Sequence, residues 1–177
     1  MMKKLPIYIF ALFLFPSIVW GASIVRTGEM ISITPDQVVE DDFYGMGNAV
    51  VVSGSVVGDL LVAGGELTLN GKIGKDLAVL AGQVDVHGNV GDDARIVAGE
   101  VTIAGEINGD LVVIAQNLKV LSTAKINGDI LFFGSDADIS GVVTGSILGT
   151  NEKMRLDAEV GGSVDISTNN FVILNTS

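Results

Sequence analysis

The chain has 177 residues, with 10 Lys plus Arg against 21 Asp plus Glu and a formal charge of −11. That balance excludes a nucleic-acid binder, which needs basic surface, and the absence of Cys together with a single His excludes thiolate, disulfide and multi-His metal chemistry. Apolar residues make up 48%, so a packed core is expected, and 23 Gly against 3 Pro suggest many tight corners in a regular structure.

Residues 1–21 read as a signal peptide. Lys3 and Lys4 precede an apolar run from Leu5 to Trp20, and small residues follow at Gly21 and Ala22. Cleavage after Gly21 is preferred, because cleavage after Ala22 would place bulky Trp20 three residues before the cut. The competing reading is a retained membrane anchor, for which the run is short. The expected location is therefore the periplasm or cell surface of a bacterium. Residues 22–36 follow as an N-terminal segment or cap, with Ile31–Pro35 as a partial coil.

From residue 37 to 177 the chain is a repeat. The apolar residue after a recurrent Gly-Asp falls at Leu60, Leu77, Ala94, Leu111, Ile130, Ile147 and Val164, in steps of 17 with one of 19. Stepping back 17 from Leu60 lands on Phe43. This gives about eight coils, beginning near Gln37, Gly54, Gly71, Gly88, Gly105, Ala124, Gly141 and Ala158. In the coil from Gly54 to Asn70, columns three, seven, nine, fourteen and sixteen are Val56, Leu60, Val62, Leu67 and Leu69. Alternation within each pair is strand period, and glycine or Asn-Gly corners fall between, where positive φ or a missing Cβ is required. Short strands and sharp corners at a fixed period describe an all-β fold, a β-helix or β-solenoid. The apolar intervals of four, two, five, two and four do not fit a left-handed hexapeptide helix, so the winding is expected to be right-handed.

The column-six ladder is Asp42, Asp59, Asp76, Asp93, Asp110 and Asp129, then Ser146 and Ser163. It admits a row of Ca²⁺ sites or a structural role in which each Asp accepts backbone N–H groups at its corner. Ser in two places favours the second. No clustered acids break the repeat, His87 is a corner residue without a partner in its coil, and the periodic glycines form no phosphate loop. No catalytic residue, metal or cofactor is expected, and the chain is read as not an enzyme.

The second strand is apolar on its outward columns eight and ten as well, in a strip about 29 Å long from Tyr44 and Met46 to Leu148 and Thr150, with Leu61, Leu80, Val97, Val112, Ile114, Leu131 and Phe133 as the candidate contact residues. Three occupants are open: another copy or partner, residues 23–36 folded back, or a membrane. At the C-terminal end Phe171 and Ile173 belong to a β edge without a basic gatekeeper, a second candidate contact. Elsewhere Asp136 is expected to meet Lys153, and Lys119, Asp138 and Arg155 to stack. The coil from Gly141 departs from the pattern, with Gly149 at an inward column and Asn151-Glu152 at the corner, and is expected to open locally.

Stacked Gly-x-Val-x-Gly-Asp-Leu coils resemble the bactofilins, a polymer-forming bacterial cytoskeletal family. Gly58-Asp59-Leu60, Gly109-Asp110-Leu111 and Gly128-Asp129-Ile130 carry the likeness, with Val50-Val51-Val52 and Leu67-Thr68-Leu69 as second strands, over roughly residues 37 to 174. The resemblance implies a right-handed β-helix that associates end to end into filaments without nucleotide, often against a membrane. Bactofilins are typically cytoplasmic, and this chain departs from them in its export signal. The function expected is a non-enzymatic scaffold of the cell envelope that self-associates as a bactofilin-like polymer. The alternative is an extracytoplasmic binding module for polysaccharide or a partner protein.

Overall fold

The computed structural model describes residues 24–173. The expected signal peptide at residues 1–21 lies outside them. Nine ten-residue strands carry the fold: β1 (Ile24–Ile33), β3 (Phe43–Val52), β5 (Leu60–Leu69), β7 (Leu77–Val86), β9 (Ala94–Ile103), β11 (Leu111–Val120), β13 (Ile130–Ile139), β15 (Ile147–Leu156) and β17 (Val164–Ile173). Between them run two-residue strands: β2 (Val38–Val39), β4 (Ser55–Val56), β6 (Lys72–Ile73), β8 (Asn89–Val90), β10 (Glu106–Ile107), β12 (Lys125–Ile126), β14 (Val142–Val143) and β16 (Glu159–Val160). The long strands pair in parallel in chain order as one nine-stranded sheet, and the short strands form an eight-stranded sheet. The chain is an all-β parallel solenoid of about nine turns. Among the described residues no helix is long and apolar enough to cross a membrane.

Each long strand spans two sides of a coil. In β5, Leu60 and Val62 point inward, then Leu67 and Leu69 do, so the alternation slips by one residue between them. The slip is the corner: small residues there, Gly64-Gly65 in β5 and Ala81-Gly82 in β7, let the strand bend while the ladder continues. The short strand supplies the third side and one inward residue, such as Val56 or Ile73. All five inward columns are buried through the middle of the stack, and Phe43 and Phe132 are its largest fully buried side chains. Small residues at two further columns complete the core, among them Ala115 and Ala124.

Two findings revise the sequence reading. Residues Ile24–Ile33 are not a partial coil and do not fold back over the strip. They form a full rung, with Ile24 opposite Phe43 and Ile33 opposite Val52. The offset from Ile24 to Phe43 is 19 rather than 17, which hides this rung from a search at fixed period. The two extra residues sit in a turn closed by Gln37 N–H donating to the Thr34 carbonyl at 2.9 Å. The same device, Ala124 N–H to Leu121 O at 2.9 Å, absorbs the Ser122-Thr123 insertion.

The corner glycines are there for space and not for positive φ. Among the described residues Gly149 is the positive-φ glycine, at 147°. A Cβ on Gly71, Gly88 or Gly105 would instead overlap the carbonyl oxygen of the glycine one coil earlier. Close backbone approach at these three turns demands a missing side chain.

Outward columns carry exposed ion pairs in register. Lys153 meets Asp136 at 3.6 Å and Arg155 meets Asp138 at 3.4 Å, as the column arithmetic predicts. Lys125 meets Glu106 at 3.1 Å. The Glu106 carboxyl is held below the ordinary glutamate value, first by the Asn127 amide and then by Lys125. Such exposed pairs fix register more than they stabilise.

Leu67 is fully buried in the middle of the stack. Leu67→Ala is expected to cost about 2–5 kcal/mol in urea unfolding, whereas Thr68→Ala, one residue on and facing outward, stays within about 0.5 kcal/mol of the parent.

Candidate functional site

The Asp ladder lies at the corner between the short strand and the long one. There the column-seven amide continues the ladder, with Leu60 N–H donating to Asp76 O at 2.9 Å. The column-six amide would be left without a carbonyl, and the side chain of the preceding coil takes it. Asp59 N–H donates to Asp42 Oδ1 at 2.9 Å, Asp110 N–H to Asp93 Oδ1 at 2.8 Å, Asp129 N–H to Asp110 Oδ1 at 2.8 Å and Ser146 N–H to Asp129 Oδ1 at 2.7 Å. At the next step the acceptor is Ser146 Oγ, which takes Ser163 N–H at 3.2 Å. Serine therefore serves in the same role as Asp. The geometry is the corner-acceptor arrangement, a charge-assisted bond to backbone repeated along the axis.

This explains the Gly-Asp dipeptide. A Cβ on Gly109, Gly128 or Gly145 would overlap Oδ1 of the Asp one coil earlier. Glycine at column five thus clears the space through which the preceding carboxylate reaches the following amide. Where column five keeps a side chain, at Lys75 and Asp92, the bonds stretch to 3.1 Å at Asp76 N–H and 3.2 Å at Asp93 N–H.

The stretched pair is also where a cation is supplied by the chain. Arg95 spans Asp76 at 2.9 Å and Asp93 at 2.6 Å, and these contacts raise its already high pKa. Asp76, Asp92 and Asp93 bring carboxylate oxygens within 4.8 Å of one another. With Arg95 bound to two of them and Oδ1 of each ladder Asp committed to an amide, the cluster is accounted for as structure.

The outward strip is exposed. Leu61, Leu80, Val97, Ile114 and Phe133 stand out of the sheet, and Val112 and Leu131 are half-buried between their neighbours. Register places Leu80 beside Val97, Val97 beside Ile114 and Ile114 beside Phe133. Arg95 interrupts the other column between Ala78 and Val112. Beside the strip, at the bend of the long strands, runs a polar trough of about 540 Å³ floored by Gly65, Gly82 and Gly99 and edged by Glu66, Gln83 and Glu100. His87 sits at another corner in a hollow of about 310 Å³ lined by Ser53, Asn70, Lys72 and Asn89, with no carboxylate in its lining.

The two ends of the stack differ. At the C-terminal rung the inward residues Val164, Phe171 and Ile173 are 38%, 42% and 55% exposed. At the N-terminal rung Ile31 and Ile33 are 4% and 1% exposed, while Ile24 is as open as Val164. The inward column-nine position there is Arg26, whose guanidinium lies 5.6 Å from the centre of the Phe43 ring and donates to Ser32 O at 3.3 Å. Sequence reasoning missed Arg26, because its column is defined only once β1 is known to be a rung.

The coil from Gly141 holds a buried amide. Asn151 is 5% exposed; its Nδ2 donates to Lys153 O at 2.6 Å and its Oδ1 has no partner. This weak point falls where the sequence departs from the repeat.

Compared with known proteins, the chain matches no family model, no curated protein and no solved structure. The fold is consistent with bactofilin-like architecture through its β-solenoid form.

Asp129→Ala is expected to destabilise the chain by about 1–2 kcal/mol through the unpaired Ser146 amide, with Asp129→Ser recovering most of that loss. Thermal melts with EDTA or with millimolar Ca²⁺ should superimpose. A rise in melting temperature with Ca²⁺ would instead make the ladder a cation site.

Proposed function

We propose that this chain is a non-enzymatic, exported scaffold of the bacterial envelope that self-associates in the manner of a bactofilin-like polymer. The observation that carries the reading is the C-terminal rung: among the described residues its ten-residue strand pairs on one side only, and its apolar inward residues are exposed. Such an edge is a template for another chain. Pairing a further strand at that edge needs no nucleotide, only backbone hydrogen bonds like those that hold each coil to the next. The winding is right-handed, as parallel strand–crossover–strand connections are.

The strip around Leu80, Ile114, Leu131 and Phe133 is the second contact and joins rods side by side. Its planar area of a few hundred Å² is below the roughly 800 Å² per partner of a standard interface. Alone it gives weak association, and in a rod already joined at its end it adds avidity. The basic start and apolar run of residues 1–21 support export. The acids support a structural rather than a catalytic role, because they recur at a repeat position and are engaged with backbone amides.

A second reading rests on the polar trough. Its acids and amide beside exposed Leu80 and Val97 suit hydroxyls and the apolar faces of a neutral polysaccharide.

Analytical ultracentrifugation over a micromolar series tests the proposal. Self-association should appear without nucleotide, and replacing Leu131 and Phe133 by Lys should remove the lateral component while circular dichroism stays that of a β-solenoid. A monomer throughout the series, together with saturable glycan binding, would favour the second reading.

A further inference from the structure

We infer that the chain joins end to end through one end alone, by antiparallel pairing of β17 with β17 of a second copy about a two-fold axis, giving a closed tail-to-tail dimer. This rests on the self-association reading and narrows its end-to-end contact to a closed pair, leaving the outward strip to extend the assembly.

The inward residues of β17 fall at its first, third, eighth and tenth positions: Val164, Ile166, Phe171 and Ile173. That set is symmetric about the middle of the strand because the inward alternation slips by one residue at the corner. An antiparallel pairing centred between Thr168 and Asn169 therefore sets Val164 against Ile173 of the second copy and Ile166 against Phe171. Core column meets core column. The same axis leaves the coil half a turn away, at Val160, the inward residue of β16, which therefore faces its own counterpart. Asp165, the one charged residue of β17, faces Val172 of the second copy rather than its own equivalent. Without the slip, a ten-residue strand paired with itself would set inward residues against outward ones. An isologous contact of this kind is self-complementary and closes on itself.

Head-to-tail stacking is opposed by the other end. A parallel continuation of the sheet would lay β1 of one copy on β17 of the next and bring Arg26 against Ile166, in an inward column. Burying a guanidinium in an apolar stack without a carboxylate is strongly unfavourable. An inward-pointing charge is one of the devices by which sheet edges are kept from pairing. Pro35, in the turn after β1, adds a position that cannot donate to a further ladder. β17 carries neither device.

The test uses the protein as purified from cells, in a Phe133→Lys background that removes side-by-side contacts. Sedimentation should show a monomer–dimer equilibrium. Ile173→Lys, on an exposed side chain at the strand end, should raise the dimer dissociation constant at least tenfold without moving the thermal melt recorded at concentrations where the chain is monomeric. Because the chain has no Cys, Asn169→Cys next to the axis should crosslink to its own copy under mild oxidation, and Glu29→Cys at the other end should not. Arg26→Leu should convert the dimer to longer species. Crosslinking through Glu29→Cys, or open filaments in the Phe133→Lys background, would overturn the closed dimer while leaving self-association standing. A monomer at every concentration would overturn both.

Discussion

One constraint organises this molecule: the coils stack in register, each backbone lying directly over the last at about 4.8 Å. Leu60 lies opposite Leu77, Leu77 opposite Ala94, and Leu111 opposite Ile130 even across an insertion. Whatever occupies a column is repeated along the axis beside its own kind. Apolar columns become a continuous core that no single coil could bury, and small columns become lines of close backbone approach. A polar column must find a partner in the next coil or solvate.

The Asp ladder follows from that constraint. Six carboxylates in a row repel one another, and the arrangement persists because each is used where the sheet geometry leaves an amide unmatched. The glycine before each Asp belongs to the same solution, since it makes room for the carboxylate of the coil below. Lys75 and Asp92 show what happens without it, in longer bonds and an Arg95 bridge over the two neighbouring acids. The register constraint also fixes where function can lie. With the acids drawn into the scaffold, what remains is an outward apolar strip, a trough along one corner and the two ends.

Much of this was legible in the sequence. Parallel, in-register stacking turns three-dimensional neighbours into residues 17 apart, so Leu60, Leu77 and Ala94 could be placed in one core column by subtraction. The ion pairs of Asp136 with Lys153 and Asp138 with Arg155 followed in the same way. The rung β1 was not legible, because the turn at Pro35-Asp36 shifts its offset to 19. The purpose of Gly-Asp was hidden as well: the dipeptide looks like a local turn, and its partner is an amide in the next coil. Arg26 resembled an ordinary charge near the start of the chain until β1 placed it in an inward column, over Phe43. The strip and the C-terminal edge were visible as patterns, but their exposure depends on what stacks against them.

The account rests on the C-terminal edge being the joining surface and the N-terminal edge being blocked. Hydrogen exchange followed by mass spectrometry at low and high protein concentration tests this directly, since a paired edge amide is protected and a free one is not. Protection of the β17 amides should rise with concentration while that of β1 stays constant. Concentration-independent exchange in β17, or protection that grows in β1 instead, would contradict it.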